Sequence, residues 1–359
     1  MKTRGQSAIC VADFRHTVDA CLEDFLQRKL RAAAAHQMPD DAARSLRRFL
    51  FAGGKRLRPL LCLTGYHAAA PDRVHPGVFQ AAAALEMFHA FALIHDDIMD
   101  RSDTRRGQPT VHRELAVRRG AGRGSADRAH LGTSAAILVG DLALAWSDEL
   151  LHTAGLPPDR LLAALPYIDT MRTEVMYGQY LDVLATGKPA GDLATPLKII
   201  RYKTAKYTIE RPLHVGAVLG GADAGILDAC TDFALPLGEA FQLRDDLLGV
   251  FGDSVRTGKS CLDDLREGKH TVLLALAFQR ADTTQRTTLD TLVGTPSLTD
   301  ADADRVRSII TATGARDTVE QMIRTRYEQA HKVLDDAPFP AEATHTLRRI
   351  TDSATARTA

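Results

Sequence analysis

Cysteine is scarce in this sequence, and its placement excludes two common uses of the residue. The five cysteines of the 359-residue chain are odd in number, far apart and in no CxxC pair. They therefore form neither a disulfide framework nor a zinc site. Reduced thiols are the simplest interpretation, and they predict a cytoplasmic protein. The cysteines are Cys10, Cys21, Cys62, Cys230 and Cys261.

Long apolar runs and an excess of one charge are also absent. No run of 18 apolar residues occurs, so no membrane span is expected, and the first 18 residues lack the apolar core of a secretory signal. Lys plus Arg and Asp plus Glu both number 45, a formal net charge of zero. No nucleic-acid partner is expected, because counterion release needs clustered positive charge.

Strand patterns are missing, since β-branched and aromatic residues do not alternate over five or more positions. Segments rich in Ala, Leu, Glu and Arg instead carry apolar residues three or four apart. The sequence predicts an all-α bundle in a single domain over residues 1–359, with a frayed tail at 351–359. The Gly- and Arg-rich stretch 116–129 is predicted as a loop, either a solvated insertion or a lid over an anionic ligand. The predicted helices are 11–37, 41–50, 79–100, 133–154, 159–187, 195–220, 226–250, 270–280, 301–312 and 315–335.

The stretch 81–100, AAAALEMFHAFALIHDDIMD, is apolar until it ends in three carboxylates. This pattern predicts a helix buried in the centre of a bundle. Asp96 and Asp100 stand one turn apart on one face, with Asp97 beside them. Burial makes the repulsion between these charges worse, so a positive partner is required, and oxygen ligands favour Mg²⁺. An exposed acidic helix end fits less well, because the preceding fifteen residues contain one charge, Glu86.

A second acidic cluster has the same apolar setting. FQLRDDLLGVFGD at 241–253 carries Asp245 and Asp246, followed by Asp253. Alone it would be weak evidence, because adjacent aspartates are frequent on helix surfaces. Two such clusters on facing buried helices would hold several divalent ions and leave coordination positions to water and substrate phosphates.

Basic residues lie near glycines or near the acidic ends of the apolar helices. Each alone is most often a solvated surface charge. Together they indicate a diphosphate ligand, and more than one, because Arg gives bidentate contacts to phosphate and Lys gives a point charge. The basic segments are GGKRLRP with Lys55, Arg56 and Arg58, RRG with Arg105 and Arg106, KTAK with Lys203, Thr204 and Lys206, TGK with Lys259, and EGK with Lys269.

The motifs GGKRLRP, DDIMDRSDTRRG, Lys-Thr and FQLRDDLLGVFGD follow one another in this order. Together they resemble the trans-isoprenyl diphosphate synthases, the polyprenyl synthetase family, over roughly residues 45–275. The resemblance implies an all-α bundle of the isoprenoid synthase type with a central active-site cavity, usually a homodimer. It also implies a reaction that joins isopentenyl diphosphate to an allylic diphosphate, with three Mg²⁺ ions when substrate is bound.

The family's site residues carry over by position. The resemblance assigns Asp96, Asp100 and Asp245 as metal ligands, with Asp97 and Asp246 as supporting carboxylates. For the allylic diphosphate it assigns Arg105, Lys203, Thr204, Gln242 and Lys259, with Gln179 and Asp182 lining the same site. For isopentenyl diphosphate it assigns Lys55, Arg58, His89 and Arg106, and Lys269 matches a lysine near the active-site mouth. The predicted catalytic residues are Asp96, Asp100, Asp245, Arg105, Lys203 and Lys259.

One position departs from the family. The second acidic motif has Gly249 where the third aspartate usually stands. This weakens one water-mediated metal contact, or Asp253 one turn further replaces it. Activity is still expected, because the first aspartate of the motif carries the direct metal contact.

Product length is expected to depend on residues before Asp96. Phe91, Phe88 and Leu85 precede it on one face, at roughly 7.5, 12 and 16 Å along the axis. An aromatic residue five before the motif with a small neighbour, here Ala92, is similar to the family's C20 pattern, whereas two bulky residues directly before it suit C15. The resemblance therefore implies geranylgeranyl diphosphate, with farnesyl diphosphate second. Alternatively, Phe91 and Phe88 only pack between helices.

Two other functions remain open as alternatives. A class I terpene cyclase shares the fold and a DDxxD helix, but it binds one diphosphate and has no use for Lys55, Arg58 and Arg106. A noncatalytic subunit of a heteromeric synthase would be expected to lose aspartates or lysines that are in place here. His95, adjacent to Asp96, is interpreted as a packed core histidine rather than a base.

Overall fold

A computed structural model describes residues 11–72, 74–187, 190–252 and 261–355, and this part of the chain is almost entirely helical. The predicted all-α fold is confirmed, with one two-residue antiparallel strand pair in the described ranges. In chain order the elements are α1 (Val11–Ala35), α2 (Asp41–Phe51), α3 (Leu57–Ala69), α4 (Pro76–Met99), β1 (Thr104–Arg105), β2 (Gln108–Pro109), α5 (Val111–Arg119), α6 (Ser125–His152), α7 (Pro158–Ala185), α8 (Ala194–Ile199), the π-helix π1 (Ile200–Glu210), α9 (Arg211–Gly220), α10 (Ala224–Phe251), α11 (Asp263–Glu267), α12 (Val272–Arg280), α13 (Thr283–Leu292), α14 (Asp300–Ala312), α15 (Ala315–Asp336) and α16 (Ala341–Thr355).

The predicted helices are present, but several elements lack a clear sequence signal. The pattern missed α3, whose segment contains a proline and a glycine; Pro59 is tolerated because it lies in the first turn. It also missed the short helices α5, α11 and α13. The single helix expected over 195–220 is instead α8, π1 and α9 in succession, because the backbone widens to π-type hydrogen bonding over Ile200–Glu210.

The loop predicted over 116–129 is wrong for most of its length. Helix α5 continues to Arg119 and α6 begins at Ser125, so residues 120–124 alone connect them. Two arginines that favoured a loop pair with an acid on α2: Arg118 Nη2 lies 3.5 Å from Asp41 Oδ1, and Arg119 contacts the same carboxylate. These ion pairs fix α5 to α2, so both arginines contact an acidic side chain instead of solvent alone.

The prediction of a frayed tail is also wrong over residues 351–355, which belong to α16. Leu347, Ile350 and Thr351 are buried at helical spacing, and the Thr351 hydroxyl donates a hydrogen bond of 2.9 Å to the Leu347 carbonyl. A threonine that bonds back to its own helix can be buried without an unsatisfied polar group. Residues 356–359 lie outside the described part of the chain.

Backbone contacts divide the chain into two compact units, and the single domain stays a prediction. The first unit contains the described residues up to Ala164 together with Pro212–Asp223 and Pro340–Ala343. Helices α3 and α9 of this unit approach closely at glycines. A Cβ on Gly216 would lie 1.6 Å from the Cys62 carbonyl oxygen, and one on Gly65 would lie 2.1 Å from the Leu213 carbonyl oxygen. Larger residues would force these helices apart.

The second unit contains the described residues of Leu165–Arg211 and Ala224–Phe339 and those from Thr344 onward. Its core is a continuous cluster of buried aliphatic side chains and Phe278, to which α10, α12, α14 and α15 contribute. At the edge of this core Arg244 donates two hydrogen bonds of 2.8 Å to the carboxylate of Glu320. The planar bidentate pair fixes α10 against α15.

Among the described residues, two helices are long and apolar enough to span a bilayer, α4 and α6. This is weak evidence for a membrane span, because core helices of globular proteins have the same length and composition. In α4, 67% of the apolar window is buried inside the structure, against 28% in α6. Helix α4 is therefore a core helix, while α6 leaves apolar side chains exposed.

Candidate active site

The first acidic motif closes α4 in the first unit. Asp97 is almost completely buried, with 1% of its side chain exposed, whereas 18% of the Asp96 side chain is exposed. Asp100 caps the helix, and its backbone N–H bonds to the Asp96 carbonyl. Asp96 and Asp100 thus lie on the more accessible face and Asp97 points inward. The division between metal ligands and a supporting carboxylate stays a prediction.

Arg105 compensates the charge at this helix end. Its Nε donates a hydrogen bond of 2.8 Å to Asp97 Oδ1, and its Nη2 lies 3.2 Å from Asp96 Oδ2. Burial lowers the pKa of Arg105, but the hydrogen bond and charge of Asp97 outweigh it and leave the pKa raised. The guanidinium predicted to hold the allylic diphosphate is therefore bound to the motif's own carboxylates in this structure.

A tight hairpin positions the two arginines of the RRG segment. Strands β1 and β2 pair Arg105 with Gln108, and both turn residues have positive φ, 53° at Arg106 and 72° at Gly107. This is the backbone pattern of a two-residue hairpin turn. A non-glycine residue in the left-handed region is strained, and such strain concentrates at functional sites. The turn directs Arg106 to the Gly53–Gly54 loop, where its Nη1 donates a hydrogen bond to the Gly53 carbonyl.

The glycine pair lets this loop lie against Arg106. Gly53 and Gly54 have φ values of 116° and 128°, and a Cβ on Gly54 would lie 3.1 Å from the Arg106 guanidinium. His89 lies close to the same arginines. Burial, and then the charges of Arg58, Arg105 and Arg106, hold the pKa of His89 well below its ordinary value. The structure thus gathers Arg58, His89 and Arg106, and it keeps the imidazole neutral at pH 7.

Arg56 has a structural task that sequence reasoning did not find. Its Nη1 donates a hydrogen bond of 2.9 Å to Glu86, its Nε donates one of 2.7 Å to Asp19, and its Nη2 reaches the Leu50 carbonyl at 2.7 Å. The side chains of Arg56 and Glu86 are 2% and 5% exposed. This buried pair explains the lone charge inside the apolar part of α4. That lone charge was the sequence signal for a buried basic partner.

A cavity of about 570 Å³ adjoins the hairpin in the first unit. Arg106 lines it, whereas Lys55, Arg58 and His89 do not. Its three other arginines are already engaged: Arg47 contacts Glu23 at 2.9 Å, Arg48 contacts Glu114, and Arg105 contacts Asp97 at 2.7 Å. The cavity therefore overlaps the predicted isopentenyl diphosphate site at one residue only.

Aromatic side chains follow the acidic motif down α4. The rings of Phe88 and Phe91 are 5.2 Å apart, and Phe91 meets the His95 ring edge-on at 4.8 Å. Phe88 is 1% exposed, while Phe91 and Ala92 are half-buried. His95 packs against Gly140, where a Cβ would lie 2.6 Å from its Cε1. Its interpretation as a packed histidine fits, although its surroundings include the Asp141 carboxylate, 3.6 Å from Nε2.

In the second unit, the Lys-Thr pair of π1 joins a series of hydrogen-bonded polar side chains. Lys203 Nζ donates a hydrogen bond of 2.7 Å to Asp182 Oδ2. The Thr204 hydroxyl donates one of 2.7 Å to Gln242 Oε1, and Gln242 Nε2 donates one of 2.9 Å to Asp246 Oδ1. These five residues line a small cavity of about 40 Å³ together with Lys269. Six predicted site residues are thereby brought together.

Glycines on both sides hold π1 in position. A Cβ on Gly178 of α7 would lie 2.6 Å from the Lys203 backbone nitrogen, and one on Gly238 of α10 would lie 2.3 Å from the Ala205 Cα. Lys206 does not join the cavity, because its Nζ contacts Glu174 at 2.8 Å. Gln179 is half-buried on α7 and does not line the cavity either.

The two adjacent aspartates of the second acidic motif differ in burial. Asp245 is exposed, whereas Asp246 is buried, and burial raises the pKa of Asp246 to about 7 against the opposing charge of Lys269. Asp264 is the strongest of the charges that raise the pKa of Lys269, ahead of Asp246. Lys269 therefore lies among carboxylates. Asp253 and Lys259 lie outside the described residues.

The all-α fold, with an apolar core helix that ends in carboxylates beside arginines, is that of the isoprenoid synthases. A family model described as polyprenyl synthetase matches residues 40–311. The chain belongs to the polyprenyl synthetase family, and it is a trans-prenyltransferase.

Relatives and solved structures agree with this assignment. A geranylfarnesyl diphosphate synthase of Aeropyrum pernix is 33% identical over 88% of this chain and 93% of the relative. A geranylgeranyl pyrophosphate synthase of Geoglobus acetivorans is 30% identical over 87% of this chain and 91% of the relative. A crystal structure of geranylgeranyl pyrophosphate synthase from Corynebacterium glutamicum, complexed with isoprenyl diphosphate and magnesium, is 41% identical, with a TM-score of 0.93 over 98% of this chain and 100% of that one.

The buried Arg56–Glu86 pair gives a stability prediction. Glu86→Gln leaves the guanidinium with one carboxylate instead of two and should lower the free energy of unfolding by about 3 kcal/mol, because an undercompensated buried charge is strongly unfavourable. Urea denaturation measures the change. Asp24→Asn, in the exposed Arg28–Asp24 pair, is the control and should change it by less than about 0.5 kcal/mol. Equal effects of the two variants would contradict this account.

The neutral state of His89 gives a pH prediction. Below about pH 6.5 the unfolded chain protonates this histidine while the folded chain does not, so stability falls as the pH decreases. His89→Gln should remove up to about 2 kcal/mol of the stability that the wild type loses between pH 7 and pH 5. Denaturation at several pH values measures this slope. The exposed His152→Gln variant should keep the wild-type slope, and an unchanged slope in His89→Gln would refute the placement of His89 among cations.

Proposed function

We propose that this chain is a Mg²⁺-dependent prenyltransferase that condenses isopentenyl diphosphate with allylic diphosphates to give geranylgeranyl diphosphate. The observation that carries the proposal is the acidic end of α4 beside Arg105, Arg106 and His89. The names of the relatives and the ligands of the Corynebacterium glutamicum structure support it. A cytoplasmic location is part of the proposal and is supported by cysteines that form no disulfide within the described ranges.

The donor atoms at the end of α4 fit a hard divalent ion. Asp96 and Asp100 present carboxylate oxygens one turn apart, and Mg²⁺ is usually held by one or two carboxylates with water and substrate phosphates. Within the described part of the chain, no group of three or more His, Cys, Asp or Glu side chains is placed to hold a metal ion by itself. We propose Asp96, Asp100 and Asp245 as ligands, with three ions when substrate is bound. Bound Mg²⁺ would stabilise charge on the departing diphosphate.

The cations divide into two sets with different tasks. In the first unit, Lys55, Arg58 and Arg106 would hold isopentenyl diphosphate, and neutral His89 can donate one hydrogen bond without adding charge. In the second unit, Lys203 and Thr204 would contact the allylic diphosphate from π1. Charge-assisted hydrogen bonds of this kind strengthen as negative charge develops on the leaving group. Neither set requires a Ser, Cys or His nucleophile.

Apolar walls on α4 protect the reaction after the allylic C–O bond breaks. The carbon left behind is a carbocation, which water would trap. Phe88 and Phe91 present ring faces and no polar groups there, and Ala92 leaves room beside them. Exclusion of water from this wall lets the double bond of isopentenyl diphosphate attack instead. A proton then passes to the departing diphosphate, which completes the new double bond.

Activity tests the proposal directly. Purified protein with Mg²⁺, isopentenyl diphosphate and dimethylallyl, geranyl or farnesyl diphosphate should form a C20 product, sized by mass spectrometry after dephosphorylation. Asp96→Asn and Asp100→Asn should each lower kcat by about 100-fold or more, since each removes charge from the metal site. The exposed Asp103→Asn variant is the control. A hydrocarbon formed from one diphosphate without elongation would contradict the proposal and favour a cyclase.

Product length tests the aromatic wall. Phe91→Ala removes the half-buried ring next to Ala92 and should yield products longer than C20, because the growing chain can pass that point. Phe79 lies near the other end of the same helix, and its ring centroid is 6.4 Å from that of Phe14. Phe79→Ala should leave the product unchanged. Unchanged length in Phe91→Ala would mean that Phe91 only packs between helices. A C15 product of the wild type would place the limit nearer Asp96.

The apolar surface of α6 supports a homodimer. Ile137 and Leu138 are 41% and 63% exposed. Monomeric soluble proteins rarely expose large contiguous apolar patches. Sedimentation should therefore detect a species of twice the 39.0 kDa chain mass, and Leu138→Asp should shift it toward monomer. Met38→Asp, equally exposed at 64% outside the helix, serves as the matched variant. A monomeric wild type at micromolar concentration would refute the dimer.

A further inference from the structure

The space beside Gly249 is occupied by a carboxylate from another helix. Gly249 lies on α10 one turn after Asp245, and a Cβ built on it would fall 2.1 Å from Asp264 Oδ2 and 3.0 Å from Asp264 Cγ. Asp264 lies in the short helix α11. The carboxylate of Asp264 therefore stands where a side chain at position 249 would begin.

Asp264 is also electrically part of the second acidic cluster. Its negative charge is the largest of the influences that raise the pKa of Lys269. This effect requires the Asp264 carboxylate to lie near that ammonium group rather than in solvent. Asp264 is half-buried, whereas its neighbour Asp263 is exposed.

A second observation indicates that this cluster has capacity for a further cation. Asp182 is 5% exposed and lines the small cavity with Asp246 and Lys269. One of its oxygens, Oδ2, accepts the hydrogen bond of Lys203, while the buried Oδ1 has no hydrogen-bond partner. A buried carboxylate oxygen without a donor is unfavourable. Among the described residues, the carboxylates of Asp182, Asp245, Asp246 and Asp264 are met in this cluster by the ammonium groups of Lys203 and Lys269.

We propose that Asp264 supplies, from α11, the carboxylate that position 249 lacks, and that it acts as a positioning residue for divalent metal at the second acidic motif. The proposal rests on the proposed function and names a residue other than Asp253. A carboxylate that does not bind metal directly can still orient metal-bound water, and such residues typically change metal affinity by 10- to 100-fold. Gly249 has a helical backbone, so either position can carry the acid.

A swap of the carboxylate between the two helices tests the idea. The variants are Asp264→Asn, the double variant Gly249→Asp with Asp264→Gly, and Asp263→Asn as the matched control. The first measurement is the Mg²⁺ concentration for half-maximal condensation. The second needs no catalysis: it is the Mg²⁺ concentration that gives half of the rise in Tm when the protein is titrated in the presence of inorganic pyrophosphate. The Tm without metal reports on folding alone.

We expect Asp264→Asn to raise both Mg²⁺ concentrations by about 10-fold or more, and Asp263→Asn to leave them unchanged. The double variant should return both to within about threefold of the wild type. Unchanged Mg²⁺ dependence in Asp264→Asn would overturn the proposal, and so would a loss that the double variant fails to restore. If Asp264→Asn does not fold, the double variant decides by the same criterion. A wild type without condensation activity would overturn the proposed function instead, and the Tm titration would still test Asp264.

Discussion

Compensation of buried charge at the acidic end of α4 is the constraint on which the first unit depends. An apolar core helix cannot carry ionised carboxylates unless positive charge is brought to it, because the cost of burying an unpaired ion is several kcal/mol. The chain meets this need twice, with Arg105 at Asp97 and with Arg56 at Glu86. The hairpin and the Gly53–Gly54 loop exist in their strained conformations because they deliver these guanidinium groups.

The second unit solves the same problem with backbone geometry. From π1, Lys203 reaches Asp182 and Thr204 reaches Gln242, and glycines of α7 and α10 let the neighbouring helices pack closely against it. Irregular helical turns are costly and persist where the surrounding packing requires them. The polar chain from Thr204 through Gln242 to Asp246 then links this turn to α10, so the position of one side chain depends on the others.

The sequence predicted the all-α class and the acidic ends of apolar helices, because periodicity and like-charge spacing are local properties. The roles of the cations stay predictions. The sequence could not separate Arg56 from Arg58: both flank the same motif, and the difference lies in Glu86 and Asp19, which are distant in sequence. Lys206 was grouped with Lys203 for the same reason. The loop predicted at 116–129 was too long, because the ion pairs that hold α5 to α2 are tertiary contacts. The sequence also did not indicate the carboxylate beside Gly249, because that carboxylate comes from another helix.

The ion pairs of this structure also limit how a diphosphate can bind. Arg105 and Lys203 already contact carboxylates, so a phosphate that binds them shares their donor groups with Asp96, Asp97 and Asp182. A shift of either cation toward the phosphate would leave a largely buried carboxylate with less compensating positive charge, which is unfavourable. The carboxylates therefore need another positive charge at the moment their lysine or arginine turns to the substrate. Electroneutrality thus links binding of the anion to binding of a cation at both acidic motifs.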